Sequence, residues 1–219
     1  MNEERKYNRE QVEQALQALA DRLISKGQRS TLFLFGGAGL VLTTDFRRFT
    51  SDIDFDTWAQ DYILPLYAKD LGFGRGGLPP FDNNVGLLAS FKERCEQSFD
   101  HLRFFGRAGE EGDQYAPGLD VYVLKPGPQL AMKLSRAADK DMDDICHLCG
   151  NLGIGGVPDL EKFWSEYEPL VDYGMGAKVD KTNLAQLWPR IAAYAQKNGI
   201  RLPSRGVGSN PNGSPSPSA

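Results

Sequence analysis

The chain has 219 residues, 41% of them hydrophobic and 25% charged, which is enough apolar material for one well-packed core with a smaller lobe beside it. A formal net charge of −4 excludes a strongly basic nucleic-acid coat protein, and no apolar run reaches the roughly 18 to 20 residues of a membrane span. Three cysteines, Cys95, Cys146 and Cys149, form no disulfide framework, and no apolar stretch follows the polar N-terminus, so a reducing, cytoplasmic setting without membrane attachment is expected.

In chain order, Asn8-x-x-Gln11 reads as a capping box opening a helix whose apolar residues are Val12, Leu16, Leu19 and Leu23, ended by Gly27. The run Leu32-Phe33-Leu34-Phe35 then reads as a buried strand that stops at Gly36 and Gly37. A short apolar helix and a loop with Arg47 and Arg48 lead to a second strand, Thr50-Ser51-Asp52-Ile53-Asp54-Phe55-Asp56. Alternation sends Ile53 and Phe55 into the core and projects Asp52 and Asp54 together from the other face, with Cα atoms roughly 6.6 Å apart. Two carboxylates so close repel unless a cation or a proton intervenes, and all-oxygen donors suit a hard divalent metal. The glycine pair lets main-chain N–H groups approach a phosphate. Gly36, Gly37, Ser51, Asp52 and Asp54 together describe a site for a nucleoside triphosphate carried by Mg²⁺.

Further along, 58–71 reads as a helix with a late start or kink at Pro65, 72–84 as a loop by composition, 85–91 as a strand, and 101–105 as another. Leu119-Asp120-Val121-Tyr122-Val123-Leu124 reads as a buried strand with a carboxylate at its head. Pro128 starts a helix running to about Lys140, on which Lys133, Arg136 and Lys140 share one cationic face. Asp141-x-x-Asp144 begins the next helix, with Ile145, Leu148 and Leu152 on its apolar side. Leu160, Phe163, Trp164, Tyr167 and Leu170 mark a short amphipathic helix, and Asp180 caps a last one containing Pro189. The Gly-, Ser- and Pro-rich residues from Pro203 onward read as a disordered tail.

Three rival signals fail. Asp52, Asp54 and Asp56 match the start of an EF-hand loop, but the sixth position is Thr57 and the twelfth Ile63. Cys146-His147-Leu148-Cys149 has CxxC spacing but no second pair, so two helix-buried thiols are expected in place of zinc. No nucleophile elbow supports a serine hydrolase.

A strand, a glycine pair, a short helix and Ser-Asp-x-Asp on the next strand resemble the nucleotidyltransferase superfamily of the polymerase-β type. The pattern is most similar to its minimal bacterial branch of AbiEii-type toxins from type IV toxin–antitoxin systems. Residues 30 to 150 carry the likeness, and Lys133…Arg136…Lys140-Asp141-x-x-Asp144-Ile145 resembles that branch's later motif. Many active members have Gly-Ser where this chain has Gly36-Gly37, which leaves contact at the turn to the backbone.

The resemblance implies an α/β (α+β) fold with a mixed sheet flanked by helices over 1–152, a C-terminal helical extension over 153–202, and the tail over 203–219. It implies transfer of a nucleoside monophosphate from a nucleoside triphosphate to an acceptor hydroxyl, with two Mg²⁺ ions on Asp52, Asp54 and Asp120. Asp120 would complete the metal site and assist the acceptor, Lys133 would neutralise charge, and Arg136, Lys140, Asp141 and Asp144 would support the nucleotide. The acceptor would be a tRNA 3′ end, a protein or a small molecule, and a tRNA-modifying toxin would have a cognate antitoxin protein as partner. The alternative is a non-catalytic module of the same fold that binds a nucleotide or a partner protein.

Overall fold

The computed structural model describes residues 6–71, 78–84, 86, 88–110, 112–171 and 181–203. The expected cap at Asp180 and the expected disordered tail beyond Pro203 lie outside them.

Helix α1 (Arg9–Ser25) opens on the anticipated capping box: the Gln11 N–H donates to Asn8 Oδ1 and the Asn8 N–H to Gln11 Oε1. Strand β1 (Arg29–Leu34), helix α2 (Gly36–Thr43) and strand β2 (Ile53–Thr57) follow as the strand, glycine turn, helix and strand read from sequence. Helix α3 (Ile63–Leu71) starts late, as Pro65 requires, with Asp61 Oδ1 accepting from the Ile63 and Leu64 N–H groups. After β3 (Phe81–Asn83) come two single turns, α4 (Ala89–Lys92) and α5 (Cys95–Ser98), then the antiparallel pair β4 (Phe99–Gly106) and β5 (Gly118–Leu124). The C-terminal part is helical: α6 (Pro126–Arg136), α7 (Met142–Asn151), α8 (Val157–Tyr167) and α9 (Lys181–Asn198), which continues past Pro189.

The five strands form one mixed sheet in the order β3-β2-β1-β5-β4, with β1 parallel to β5 and antiparallel to β2, and β2 parallel to β3. Alternation along β1 divides the interior between the two faces of the sheet. Leu32 and Leu34 join Val12, Leu16, Leu19, Ile53 and Phe55 beneath α1, α2 and α3. Phe33, and Phe35 just beyond the strand, join Phe99, Leu130, Ile145, Trp164 and Ile191 beneath the C-terminal helices. A mixed sheet flanked by helices and extended by C-terminal helices is therefore the fold. No helix among the described residues is long and apolar enough to cross a membrane.

Three local expectations are corrected. The stretch read as a loop over 72–84 contains β3, an edge strand with one half-buried apolar residue, Phe81, ahead of two exposed polar ones, and so without a strand's usual apolar signature. The strand expected over 85–91 gives way at 89–92 to a helical turn, because Leu88 and Phe91, three apart, both point into the core. Helix α6 stops at Arg136 because Ala137 adopts a left-handed φ of 41°, so Lys140 lies in a separate 3₁₀ turn, Asp139–Asp141, and does not extend the Lys133 and Arg136 face.

Candidate functional site

The glycine turn and the head of β2 meet at the C-terminal end of β1. The Phe35 N–H donates to the Asp54 carbonyl, and Gly36, with a φ of +63°, turns the chain directly against the Asp54 carboxylate. Asp54 Oδ2 occupies the space that a Cβ on Gly36 would need, so only glycine fits there. At Gly37 a Cβ would stand 2.5 Å from Thr50 Oγ1 and 3.2 Å from Arg47 Nη2, so a larger residue there would have to displace those side chains.

Ile53 and Phe55 are fully buried on the core side, as their alternation requires. On the opposite side Asp54 stands in register beside Asp82 of β3, so β3 brings a carboxylate next to the pair on β2. One carboxylate oxygen from each of Asp52, Asp54 and Asp82 falls within 4.8 Å of the other two. Asn84 Nδ2 donates to Asp54 Oδ1 at 3.3 Å. Burial, followed by the charges of Asp52 and Asp82, pushes the Asp54 carboxyl up to about 6, while Arg136 and Lys133 pull it partly back. Three converging carboxylates, with Asp54 shifted upward, are what a hard cation relieves, so the donor set fits a divalent ion such as Mg²⁺.

Asp120 is not part of this group. It pairs with Thr31 in the parallel β1–β5 register, four residues before Phe35 and thus roughly 13 Å along the strand from the Asp54 end. Its carboxylate is engaged by Arg29 Nε at 2.8 Å and His101 Nε2 at 3.5 Å. Asp82 is hard to read from the sequence because its strand is three residues long. The available signal was a further carboxylate between Phe81 and two asparagines, set beside Asp54 only by strand pairing.

Asp56 also lies outside the acidic group. It is fully buried, accepts from Lys92 Nζ at 2.8 Å and from the N–H groups of Thr57, Gly86 and Leu88, and so anchors the segment after β3.

Opposite the carboxylates stands a helical wall that carries Lys133, Arg136, Asp141 and Asp144. Lys133 is 4% exposed, with Nζ 3.0 Å from Asp141 and 2.8 Å from Asp144. Arg136 holds Asp141 through two hydrogen bonds, Nε to Oδ2 at 2.6 Å and Nη2 to Oδ1 at 2.8 Å. Burial raises the Asp141 carboxyl, but Arg136 and Lys133 outweigh it and keep it below the usual carboxylate range. Arg47, from the loop ahead of β2, reaches across to an ion pair with Asp144. The charges thus form one chain, Arg47–Asp144–Lys133–Asp141–Arg136, which ties the glycine-turn side to α6 and α7.

A cleft of about 720 Å³ lies between the two walls. Every candidate residue except Asp120 lines it: Gly36, Gly37, Ser51, Asp52, Asp54, Lys133, Arg136, Lys140, Asp141 and Asp144. Lys6, Arg48 and Lys140 bring exposed cations to its edge, and Phe49, 48% exposed, brings an aromatic ring. Cys146 and Cys149 are buried in the helical core, and burial pushes their thiols up to about 11 and about 12, which makes them inert packing groups. No protein-family model, no curated protein and no solved structure matches this chain.

Proposed function

We propose that the protein is a Mg²⁺-dependent nucleotidyltransferase that moves a nucleoside monophosphate from a nucleoside triphosphate to an acceptor hydroxyl. The observation that carries this reading is the convergence of Asp52, Asp54 and Asp82 in the cleft lined by the glycine turn and by Arg136 and Lys140. Carboxylates on one wall with N–H donors and cations around them suit a metal-bound triphosphate better than any neutral ligand.

Asp52, Asp54 and Asp82 would hold the magnesium, whose chemistry is to neutralise phosphate charge and polarise the phosphoryl oxygens. The backbone N–H groups of Gly36 and Gly37, the Ser51 hydroxyl, Arg136 and Lys140 bind and orient the phosphates. Lys133, enclosed between Asp141 and Asp144, fixes Asp141 under Arg136 and so positions that guanidinium. In the transfer, the acceptor oxygen forms a bond to the α-phosphorus, the bond from that phosphorus to the bridging oxygen breaks, and the electron pair leaves with pyrophosphate. Asp82, the most exposed of the three carboxylates, takes the acceptor's proton and passes it to water.

The exposed rim of Lys6, Arg48, Lys140 and Phe49 favours an anionic acceptor with stacking bases, so an RNA end such as a tRNA 3′ terminus is the preferred one. On that reading the protein acts as the toxin of a type IV pair, with an antitoxin chain as partner. The test is label transfer from each of the four α-labelled ribonucleoside triphosphates to total tRNA, total protein or aminoglycosides. Labelling of one acceptor class, lost in the Asp52→Ala/Asp54→Ala double variant, is the expected result. Nucleotide binding without transfer to any acceptor, or transfer retained in the double variant, would refute catalysis at this site; the first outcome identifies a non-catalytic binding module.

A further inference from the structure

We infer that Gln129 selects the nucleoside end of the bound nucleotide, its Oε1 accepting a hydrogen bond from a hydroxyl or amino group of that ligand. This rests on the nucleotide reading above and adds to it a residue that decides which nucleotide is held.

Gln129 sits on α6 with Met132, Lys133 and Arg136 at spacings of three, four and seven, so all four occupy the helix face that lines the cleft. The side chain is 3% exposed, and its Nε2 donates to the Gly36 carbonyl at 2.7 Å. That bond settles the orientation of the amide, because only its NH₂ can donate to a carbonyl. Oε1 is then the free end, buried and with no hydrogen-bond partner among the described residues.

A buried amide oxygen without a donor is a cost to the folded chain that a ligand donor removes. The Nε2 bond to the Gly36 carbonyl uses one end of the amide and leaves Oε1 without a partner among the described residues. Phosphate is the wrong occupant, because its oxygens would face another acceptor. A second buried acceptor on the same wall, Asp144 Oδ1, also lacks a partner. The phosphates therefore belong with the N–H groups of the glycine turn and with Arg136 at the end of α6, and the part of the wall around Gln129 receives groups that donate. Phe35, Phe91 and Met132 line the same cleft and supply an apolar bed for a ring. A nucleoside offers both kinds of donor, ribose hydroxyls and the exocyclic amines of adenine, guanine or cytosine.

The test is calorimetric affinity of the full chain, with Mg²⁺, for ATP, GTP, CTP and UTP and for their 2′-deoxy and 3′-deoxy forms, repeated with Gln129→Met. The wild type is expected to favour at least one donor-bearing nucleotide about tenfold over its donor-deleted counterpart, the effect of one hydrogen bond to a buried neutral acceptor. Gln129→Met should bring that ratio close to one, and Gln129→Leu is read in the same way should the methionine variant fail to fold. Dependence on a deoxy position assigns the ribose, and dependence on the base assigns the amine. Equal wild-type affinity across the series, or an unchanged ratio in the folded variants, would overturn the inference and leave the nucleotide site standing. Failure of the wild type to bind any nucleotide would overturn the nucleotide reading and this inference with it.

Discussion

Replacing Asp54 by Asn should make the metal-free protein more stable, and only above about pH 5. The folded-state pKa of Asp54 is raised from 3.8 to about 6, so between those values the folded chain holds a proton that the unfolded chain has released. For a carboxyl shifted upward, stability is highest in acid, falls as pH rises from about 4 through about 6, and is flat above. The shift of about two pH units corresponds to about 3 kcal/mol at pH 7, taking about 1.36 kcal/mol per unit as an upper figure. Asn removes the charge, keeps nearly the same shape, and can still accept from Asn84 Nδ2 through its amide oxygen. In a chain of this size the gain amounts to an increase of about 5 to 10 °C in Tm at pH 8. Thermal melts at pH 4 and pH 8, with EDTA and with Mg²⁺, measure it. The expected pattern is no difference at pH 4, a gain for Asp54→Asn at pH 8 in EDTA, and stabilisation by Mg²⁺ of the wild type alone. A neutral or destabilising Asp54→Asn at pH 8 in EDTA would refute the claim that the fold holds Asp54 ionised against its burial and the charges of Asp52 and Asp82.

The remaining predictions concern the parts around that group. Lys133→Met leaves Asp141 and Asp144 buried without their shared cation and should cost about 3 to 5 kcal/mol in urea denaturation; a loss below about 1 kcal/mol would mean that Arg136 and Arg47 suffice. Gly37→Ser sets a side chain against Thr50 Oγ1, which donates to the Asp52 carbonyl at 3.0 Å. It should destabilise by about 1 to 3 kcal/mol and weaken Mg²⁺ binding by calorimetry, whereas wild-type values for both would show that the turn has room for the hydroxyl.

Much of the site was legible because its signals are local. The glycine pair, the alternation of Ile53 and Phe55 with Asp52 and Asp54, and the capping box at Asn8 each act within a few residues, and each forms as read. The error over the third carboxylate has a different origin. Asp120 stands near the start of a strongly apolar strand and Asp82 in a polar stretch among glycines and prolines, but strand register brings the second beside Asp54 and gives the first to Arg29. Register along a five-stranded sheet depends on contacts between residues far apart in sequence, and no short window carries it. The end of α6 was hidden for another reason. Nothing in Ser135-Arg136-Ala137-Ala138 marks a break, yet Ala137 is left-handed and the chain beyond it brings Asp141 against Lys133 and Arg136. The orphaned Gln129 Oε1 could not be read at all, since a glutamine in a helix carries no sign of what its amide faces.

The most direct test of the acidic group as the reaction centre is Mg²⁺-dependent pyrophosphate release from a nucleoside triphosphate with total tRNA present. The wild type, Asp82→Asn and Asp120→Asn are measured side by side. Asp82→Asn should lose release by a factor of a hundred or more, on the order expected for a group that holds metal and moves a proton. Asp120→Asn, at a carboxylate held by Arg29 and His101, should release pyrophosphate as the wild type does. Activity that survives in Asp82→Asn and disappears in Asp120→Asn would contradict the account.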